Sequence, residues 1–217
     1  MTVAYSHLAS IYTDMGRLGE AIHVLSAALS HGAGSEELRT KLALALDRTG
    51  QPQRGWEVLS GDTDSRDPET QCALGRLAAA LGRREEAGRR FSTALEIDSS
   101  FPQAHVDLGI LHLDEGALSD AAKELEGALA QDGSLADGWN ALGVVRLREG
   151  NLRAAVEAWE HAVKADPRLA DALFNLALAR GKMGEPGRAA EALERYIPLV
   201  EGEEKSHAEA MLRQVRR

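Results

Sequence analysis

Glycine recurs along this 217-residue chain at a nearly fixed interval of 34 residues. A leucine stands eight residues before each of these glycines, and an alanine or a glycine directly follows that leucine. The glycines are Gly16, Gly50, Gly82, Gly116, Gly150 and Gly184, and only the second interval is shorter, at 32 residues. A period of this length is typical of chains built from repeated supersecondary units. The repeat therefore constrains the fold more than any other feature of the sequence.

Each repeat has the pattern of two amphipathic helices joined by a tight turn. We number the positions of a repeat from 1 to 34, so that the recurring glycine is at position 15. Bulky apolar residues recur at spacings of three and four on both sides of this glycine, which can adopt the positive φ common at helix ends. Small residues at positions 8 and 20 are expected to let the two helices cross closely. The predicted repeats are 2–35, 36–67, 68–101, 102–135, 136–169 and 170–203, followed by an amphipathic helix at 204–216.

The fifth repeat resembles the tetratricopeptide repeat family. It carries the family's tryptophan, leucine, glycine, alanine, aromatic, alanine and proline positions at the expected spacings, as Trp139, Leu142, Gly143, Ala155, Trp159, Ala162 and Pro167. The resemblance extends over about residues 2–203. It implies an all-α, right-handed superhelical solenoid of six helix-turn-helix repeats with a C-terminal capping helix. We expect one cooperative array over residues 1–217 rather than two domains.

The second repeat departs most from the pattern. It is two residues short, has Gly55 where other repeats have alanine, and ends in the loop-like segment 60–67. Asp67 and Pro68 form a good helix start, with an N-cap followed by proline at the first helical position. We therefore expect a shortened helix and a weak joint in this repeat. No capping segment precedes residue 2, so the first repeat is expected to be uncapped.

Few residues of the chain are candidates for a catalytic, cofactor-binding or metal site. Its sequence lacks the common phosphate-loop, serine-hydrolase and zinc-protease motifs, so we expect no enzyme activity, no cofactor and no metal. His105 and His112 occupy ordinary packing positions of the fourth repeat. Cys72 falls at position 5, a potentially exposed face, without a cation beside it in sequence to lower the pKa of its thiol; the nearest candidate is Arg76.

Charge and hydropathy limit the classes of binding partner and the cellular compartment that we expect. The formal net charge of −9 and the absence of basic clusters argue against nucleic-acid binding. No apolar stretch is long enough for a membrane span, and no secretory signal is apparent, so we expect a cytoplasmic protein. The richness in alanine, glycine, arginine and leucine suggests a bacterial source.

The first helices of such an array are expected to line its inner surface, where positions 2, 5, 9, 12 and 13 form a stripe. This stripe is mixed and polar in the first three repeats and apolar with charged rims in the last three. The predicted binding groove consists of Val106, Ile110, Leu113, Asn140, Val144, Leu147, Arg148, Phe174, Leu178 and Lys182. The alternative is that neighbouring helices or the tail already bury this stripe.

The sequence therefore predicts a non-enzymatic scaffold or adaptor that binds an apolar peptide or an amphipathic helix in this groove. Two alternatives stay open. The uncapped first repeat could stack on a second copy and make a homo-oligomer, or the chain could be the regulatory segment of a larger enzyme. The fourth repeat, which holds most of the negative charge, could instead attract a basic partner or be a solvated face.

Overall fold

The computed structural model describes residues 2–32 and 34–216, and in these residues it contains thirteen α-helices, one short 3₁₀-helix and no strand. This confirms the all-α prediction. The first helices of the repeats are α1 Thr2–Asp14, α3 Glu36–Arg48, α5 Pro68–Ala80, α7 Pro102–Glu115, α9 Ala136–Arg148 and α11 Ala170–Lys182. Each begins at the first residue of its predicted repeat.

The second helices and the tail complete the chain. They are α2 Leu18–Ser30, α4 Pro52–Leu59, α6 Arg84–Ile97, α8 Leu118–Gln131, α10 Leu152–Ala165, α12 Pro186–Tyr196, the 3₁₀-helix Ile197–Leu199, and α13 Gly202–Val215. The structure divides into two compact units, Met1–Asp107 and Leu108–Arg217. The single cooperative array, the repeat count and the right-handed superhelix stay predictions.

The recurring glycines adopt the conformation that their position predicts. All six have φ between 72° and 83°, a region that other residues rarely occupy. At Gly150, for example, the glycine N–H donates to the Leu147 carbonyl (3.0 Å), and the next N–H, of Asn151, donates to the Arg146 carbonyl (2.9 Å). These bonds satisfy carbonyls at the end of α9 and turn the chain towards α10.

Small residues at position 8 allow the two helices of a repeat to cross closely. A Cβ atom placed on Gly143 would lie 2.4 Å from Nε1 of Trp159, and one on Gly75 would lie 2.4 Å from Cε1 of Phe91. The aromatic rings at position 24 therefore occupy the space that a side chain at position 8 would need. The prediction that small residues bring the helices together is confirmed at these crossings.

The second repeat has the shortened helix that its sequence predicts, since α4 has only eight residues. Asp67 caps α5 by accepting a hydrogen bond from the Thr70 N–H (2.9 Å), and Pro68 begins that helix. The segment before it is well anchored. Asp62 forms two hydrogen bonds with Arg39 of α3 (2.6 and 2.7 Å), and Arg90 of α6 donates to the Thr63 carbonyl (2.6 Å). These bonds connect the segment to α3 and α6, and the weakness of this joint stays a prediction.

A repeated ion pair joins successive repeats of Leu108–Arg217. Arg146 and Arg180, both at position 11, pair with Glu126 and Glu160 at position 25 of the preceding repeat. In the tail, Arg216 pairs with Glu194, which is again at position 25. The apolar side of α13 packs against the hydrophobic core of this unit, which includes Trp159 and Leu193. In α13 itself, Ala208 is buried, and Met211, Leu212 and Val215 are partly buried.

Candidate functional site

The predicted groove is less exposed than the sequence suggests. Val106, in the Met1–Asp107 unit, is fully buried, and Leu113, in the other unit, is also buried. The expectation that these two side chains are exposed is therefore wrong, because the surrounding helices already cover positions 5 and 12 of the fourth repeat. Ile110 on α7 is half-buried.

The exposed apolar surface of Leu108–Arg217 lies on α9 and α11. Leu147 and Leu178 keep 38% and 39% of their surface accessible, while Val144 and Phe174 are half-buried. We call these four residues the apolar face. Phe174 also has a structural role, since its ring lies 5.2 Å from that of Tyr196 at an angle of 37°, and both Val144 and Phe174 pack against the core around Trp159.

Polar groups hold α9 and α11 together beside this face. The Asn175 side-chain amide donates to Oδ1 of Asn140 (3.3 Å), and Trp159 Nε1 donates to the Asn140 carbonyl (3.2 Å). Asn140 is thus placed between helices, and its partner Asn175 was not among the predicted site residues. The two asparagines are 35 residues apart, one more than the 34-residue period. They therefore occupy different positions in their repeats, and a comparison of equivalent positions does not pair them.

Two cations lie at the C-terminal ends of α9 and α11. Arg148 donates from Nη1 to the Leu113 carbonyl (2.7 Å), while the residue as a whole stays exposed. Lys182 is also exposed. Both are thus exposed cations near the C-terminal ends of the helices that carry the apolar face.

The Met1–Asp107 unit carries a different surface on its first helices. A cleft of about 240 Å³ lies among α1, α3 and α5, and we call it the polar cleft. Most of its lining is polar or charged, as the sequence predicts for this half: Ala9, Ser10, Thr13, Asp14, Lys41, Leu44, Ala45, Asp47, Arg48, Glu69 and Arg76. A neighbouring cleft of about 350 Å³ shares Leu44, Glu69 and Arg76 with it.

Two cations of the polar cleft have carboxylate partners. Lys41 Nζ donates to Ser6 Oγ (2.7 Å) and Ser10 Oγ (3.1 Å), and it lies 3.2 Å from the Glu37 carboxylate. The hydrogen bond from Ser6 and then that from Lys41 lower the pKa of Glu37. Arg76 Nε lies 3.4 Å from the buried carboxylate of Asp107.

Two carboxylates of the same cleft are in the opposite situation. Burial raises the pKa of Asp47, and this effect exceeds the opposing attraction of Arg76. Burial also raises the pKa of Glu69, with repulsion from Asp67 adding to it and attraction from Lys41 opposing it. Relative to the neutral form, the charged form of each is therefore less favoured than it is in water, although the Glu69 residue stays exposed.

The remaining candidates for chemistry are Cys72, His105 and His112. Cys72 is buried, which corrects the expectation of an exposed position, and burial together with the nearby Asp107 carboxylate raises the pKa of its thiol. His105 Nε2 lies 3.2 Å from the Ser99 carbonyl, and His112 Nδ1 lies 3.6 Å from the Glu115 carboxylate. Across residues 2–32 and 34–216, no three His, Cys, Asp or Glu side chains come together as metal ligands. Nor does any helix there have the length and apolarity needed to span a bilayer.

Comparison with known families gives three matches, each described as a tetratricopeptide repeat. They cover residues 3–30, 78–143 and 140–204, which together make up more than half of the chain. The divergent second repeat lies in the stretch that these matches leave uncovered. No curated protein sequence matches the chain.

Solved structures share the fold at low sequence identity. The crystal structure of the APC/C hetero-tetramer Cut9-Hcn1 matches all of this chain with a TM-score of 0.78 and 15% identity. This chain spans only 43% of that one. TTC0263, a thermophilic TPR protein of Thermus thermophilus, matches 82% of this chain and 98% of its own (TM-score 0.72, 21% identity). MamA matches 78% of this chain and 96% of its own (TM-score 0.55, 20% identity).

Proposed function

Because this chain belongs to the tetratricopeptide repeat family, whose members generally act as protein-interaction scaffolds, we propose that it binds a protein partner through the apolar face of Leu108–Arg217. The observation that carries the proposal is the exposure of Leu147 and Leu178 on α9 and α11. Large apolar side chains exposed together are a common mark of an interaction surface. The buried Val106 and Leu113 take no part in it.

The partner expected at this face is an amphipathic helix or an apolar peptide. Val144 and Phe174 add half-buried surface to the two exposed leucines, while Arg148 and Lys182 favour an acidic residue at one end of the partner. Since about two-fifths of each leucine is accessible, covering it contributes only about 1 kcal/mol. The affinity should therefore be moderate.

The test replaces both exposed leucines with glutamate. Phe174 is unsuitable for this purpose, because its contact with Tyr196 means that a charge there would disturb the core. The Leu147→Glu/Leu178→Glu variant should stay folded by circular dichroism. The matched control is Ile97→Glu, which changes an equally exposed apolar residue (38%) of the other unit.

Wild type, double variant and control are used as baits in lysate pull-downs, and each captured protein is then purified and titrated by calorimetry. We expect a partner that binds wild type and Ile97→Glu equally but binds the double variant at least about ten-fold more weakly. Equal binding to all three would overturn the proposal. Failure of the wild type to capture any protein would also count against it.

Self-association is the second candidate, and one observation favours it. On α1 the side chains of Val3, Leu8 and Ile11 are 67%, 39% and 54% exposed. The leucines at the position of Leu8 in the second, third, fifth and sixth repeats are all buried: Leu42, Leu74, Leu142 and Leu176. A second copy seated on α1 would cover this surface.

Light scattering after size exclusion checks this candidate. If α1 mediates self-association, the apparent mass of the wild type rises above 23.3 kDa with concentration, and Ile11→Glu abolishes the rise whereas Ile97→Glu does not. A wild-type mass that stays at the monomer value over the whole concentration range rejects it.

A further inference from the structure

A groove lies between the second helices of the fifth and sixth repeats. It has a volume of about 570 Å³, and residues of α10, α11 and α12 line it together with a proline of the connecting loop. We call it the basic groove, and its lining residues are Glu160, Val163, Lys164, Pro167, Leu176, Arg180, Arg188, Glu191, Ala192 and Arg195. None of these residues belongs to the apolar face.

The basic groove has a buried interior and charged margins. The apolar residues that its helices contribute are buried, and so is Arg180. The guanidinium of this arginine is already bound by the carboxylates of Glu160 and Glu185. The other three cations of the lining are exposed, and they are Lys164, Arg188 and Arg195.

Cations outnumber carboxylates in this groove. Its lining holds four cations and two carboxylates, although the formal net charge of the whole chain is −9. Counting the nearby Glu185, which lies 3.6 Å from Arg188, leaves an excess of positive charge. In the part of the chain that the structure describes, neither Lys164 nor Arg195 forms an ion pair. The remaining carboxylate, of Glu191, is on α12 one turn from each arginine of the margin.

The equivalent positions one repeat earlier have the same framework without this excess. Glu126 and Arg146 there form the same ion pair as the buried arginine of the groove. Where the basic groove has its three exposed cations, that repeat has Ala130, Ala154 and His161. Packing of the helices therefore does not require the three cations, and their presence around one groove needs another explanation.

Binding of an anion supplies that explanation. Three like charges at the margins of one groove repel one another, and an anion placed between them relieves this repulsion. A positive region on a negatively charged protein also directs an acidic partner to itself rather than to the rest of the surface. We propose that the basic groove binds an acidic segment of a partner protein, whose carboxylates pair with Lys164, Arg188 and Arg195.

The probe is a blocked peptide, so that no partner has to be known. Isotope-labelled full-length protein is titrated with acetyl-Glu-Ala-Glu-Ala-Glu-amide, and two-dimensional NMR spectra are recorded. The counterpart with glutamine in place of glutamate is the neutral control. We expect saturable shifts for amides of α10 and α12 with the glutamate peptide alone. This binding should weaken as salt is added, because salt screens exposed charges.

The main variant gives the groove the residues of the preceding repeat: Lys164→Ala/Arg188→Ala/Arg195→His. It should bind the glutamate peptide about ten-fold more weakly than the wild type does. The fold should tolerate these residues, since the preceding repeat has them at the equivalent positions. Each single substitution should weaken binding about two-fold, and the three single variants test the proposal if the triple variant does not fold.

The matched control is Lys123→Ala/Arg153→Ala/Arg213→His, which removes three exposed cations of the same unit outside the groove. It should change the affinity by less than about two-fold, because these charges are screened at physiological salt. The proposal is overturned if the glutamate peptide does not bind saturably, if the glutamine peptide binds equally well, or if the main variant and the control bind alike.

The Leu147→Glu/Leu178→Glu variant separates this site from the apolar face. It should bind the glutamate peptide like the wild type, so a failure of the apolar face leaves the basic groove intact. A loss of peptide binding in this variant would also overturn the proposal, since it would assign the peptide to the apolar face.

Discussion

The two units of this protein are built from the same helix pair, yet their first helices present different chemistry. In Met1–Asp107, α1, α3 and α5 line a polar cleft, and the exposed large apolar residues of these helices lie on α1. In Leu108–Arg217, by contrast, α9 and α11 expose Leu147 and Leu178. The packing positions are alike in one repeat of each unit, where a glycine at position 8 lies under an aromatic ring at position 24: Gly75 with Phe91, and Gly143 with Trp159. Packing in this fold therefore constrains one set of positions and leaves the chemistry of another, more accessible set free to differ between repeats.

The largest loss of stability is expected from removing the aromatic residue at position 24 in either unit. Trp159→Ala and Phe91→Ala should each destabilise the protein by about 3–5 kcal/mol, because both residues are almost fully buried. Urea unfolding followed by circular dichroism measures the loss. A loss below about 1 kcal/mol at either site would show that the two crossings are not equivalent.

The same pair of variants tests how the units unfold. If the chain is one cooperative array, both substitutions shift a single transition to lower urea. If the units unfold independently, two transitions appear. In that case Trp159→Ala shifts only the transition of Leu108–Arg217, and Phe91→Ala shifts only that of Met1–Asp107.

A smaller loss of stability is expected from adding a methyl group where α9 and α10 cross. Gly143→Ala should destabilise the protein by about 1–3 kcal/mol, since its new Cβ would lie 2.4–2.7 Å from atoms of the Trp159 ring. The control is Gly127→Ala, a helical site of α8 with no atom within 4 Å of the added Cβ. This control should stabilise by about 0.5–1 kcal/mol, because alanine is the better helix former. Equal effects of the two substitutions in thermal melts would contradict the close crossing.

The smallest effect is a pH-dependent gain in folding stability from Asp47→Asn. The folded-state pKa of Asp47 is raised, so the folded state binds its proton more tightly than the unfolded state does. The penalty from the charged form is complete above the folded-state pKa and disappears as the pH falls towards the unfolded value of about 3.9. The variant should therefore be more stable than the wild type by less than about 1 kcal/mol at neutral pH, with no difference below about pH 4.

Melting temperatures across this pH range check the prediction, with Asp64→Asn as an exposed comparison. A stabilisation that persists unchanged in acid would show that lost charge at Asp47 is not its cause. A destabilised variant at neutral pH would mean that the carboxylate has a partner in solution.

The sequence predicts the repeating framework well. The spacing of Gly150 and its equivalents is sufficient to place the turns and the start of every first helix, since a backbone with positive φ requires glycine locally. The truncated α4 and the Asp67 cap are also evident from the sequence, because caps and proline positions are local signals.

Exposure is harder to predict, because it depends on how neighbouring helices cross. Cys72 and Phe174 share position 5, yet the first is buried and the second only half-buried. Val106 and Leu113 belong to the predicted groove by position but are covered in the fold. The ion pairs of Arg146 and Arg180 could have been found, since their glutamate partners recur with the same 34-residue period.

The close crossing of Gly143 and Trp159 also limits how these two positions can change over generations. A methyl group at position 143 collides with the indole ring, and a smaller residue at 159 leaves a void, so either change alone lowers stability. The two positions are therefore expected to change together. The sixth repeat holds another combination at the same positions, Ala177 with Leu193, and both of these side chains are buried.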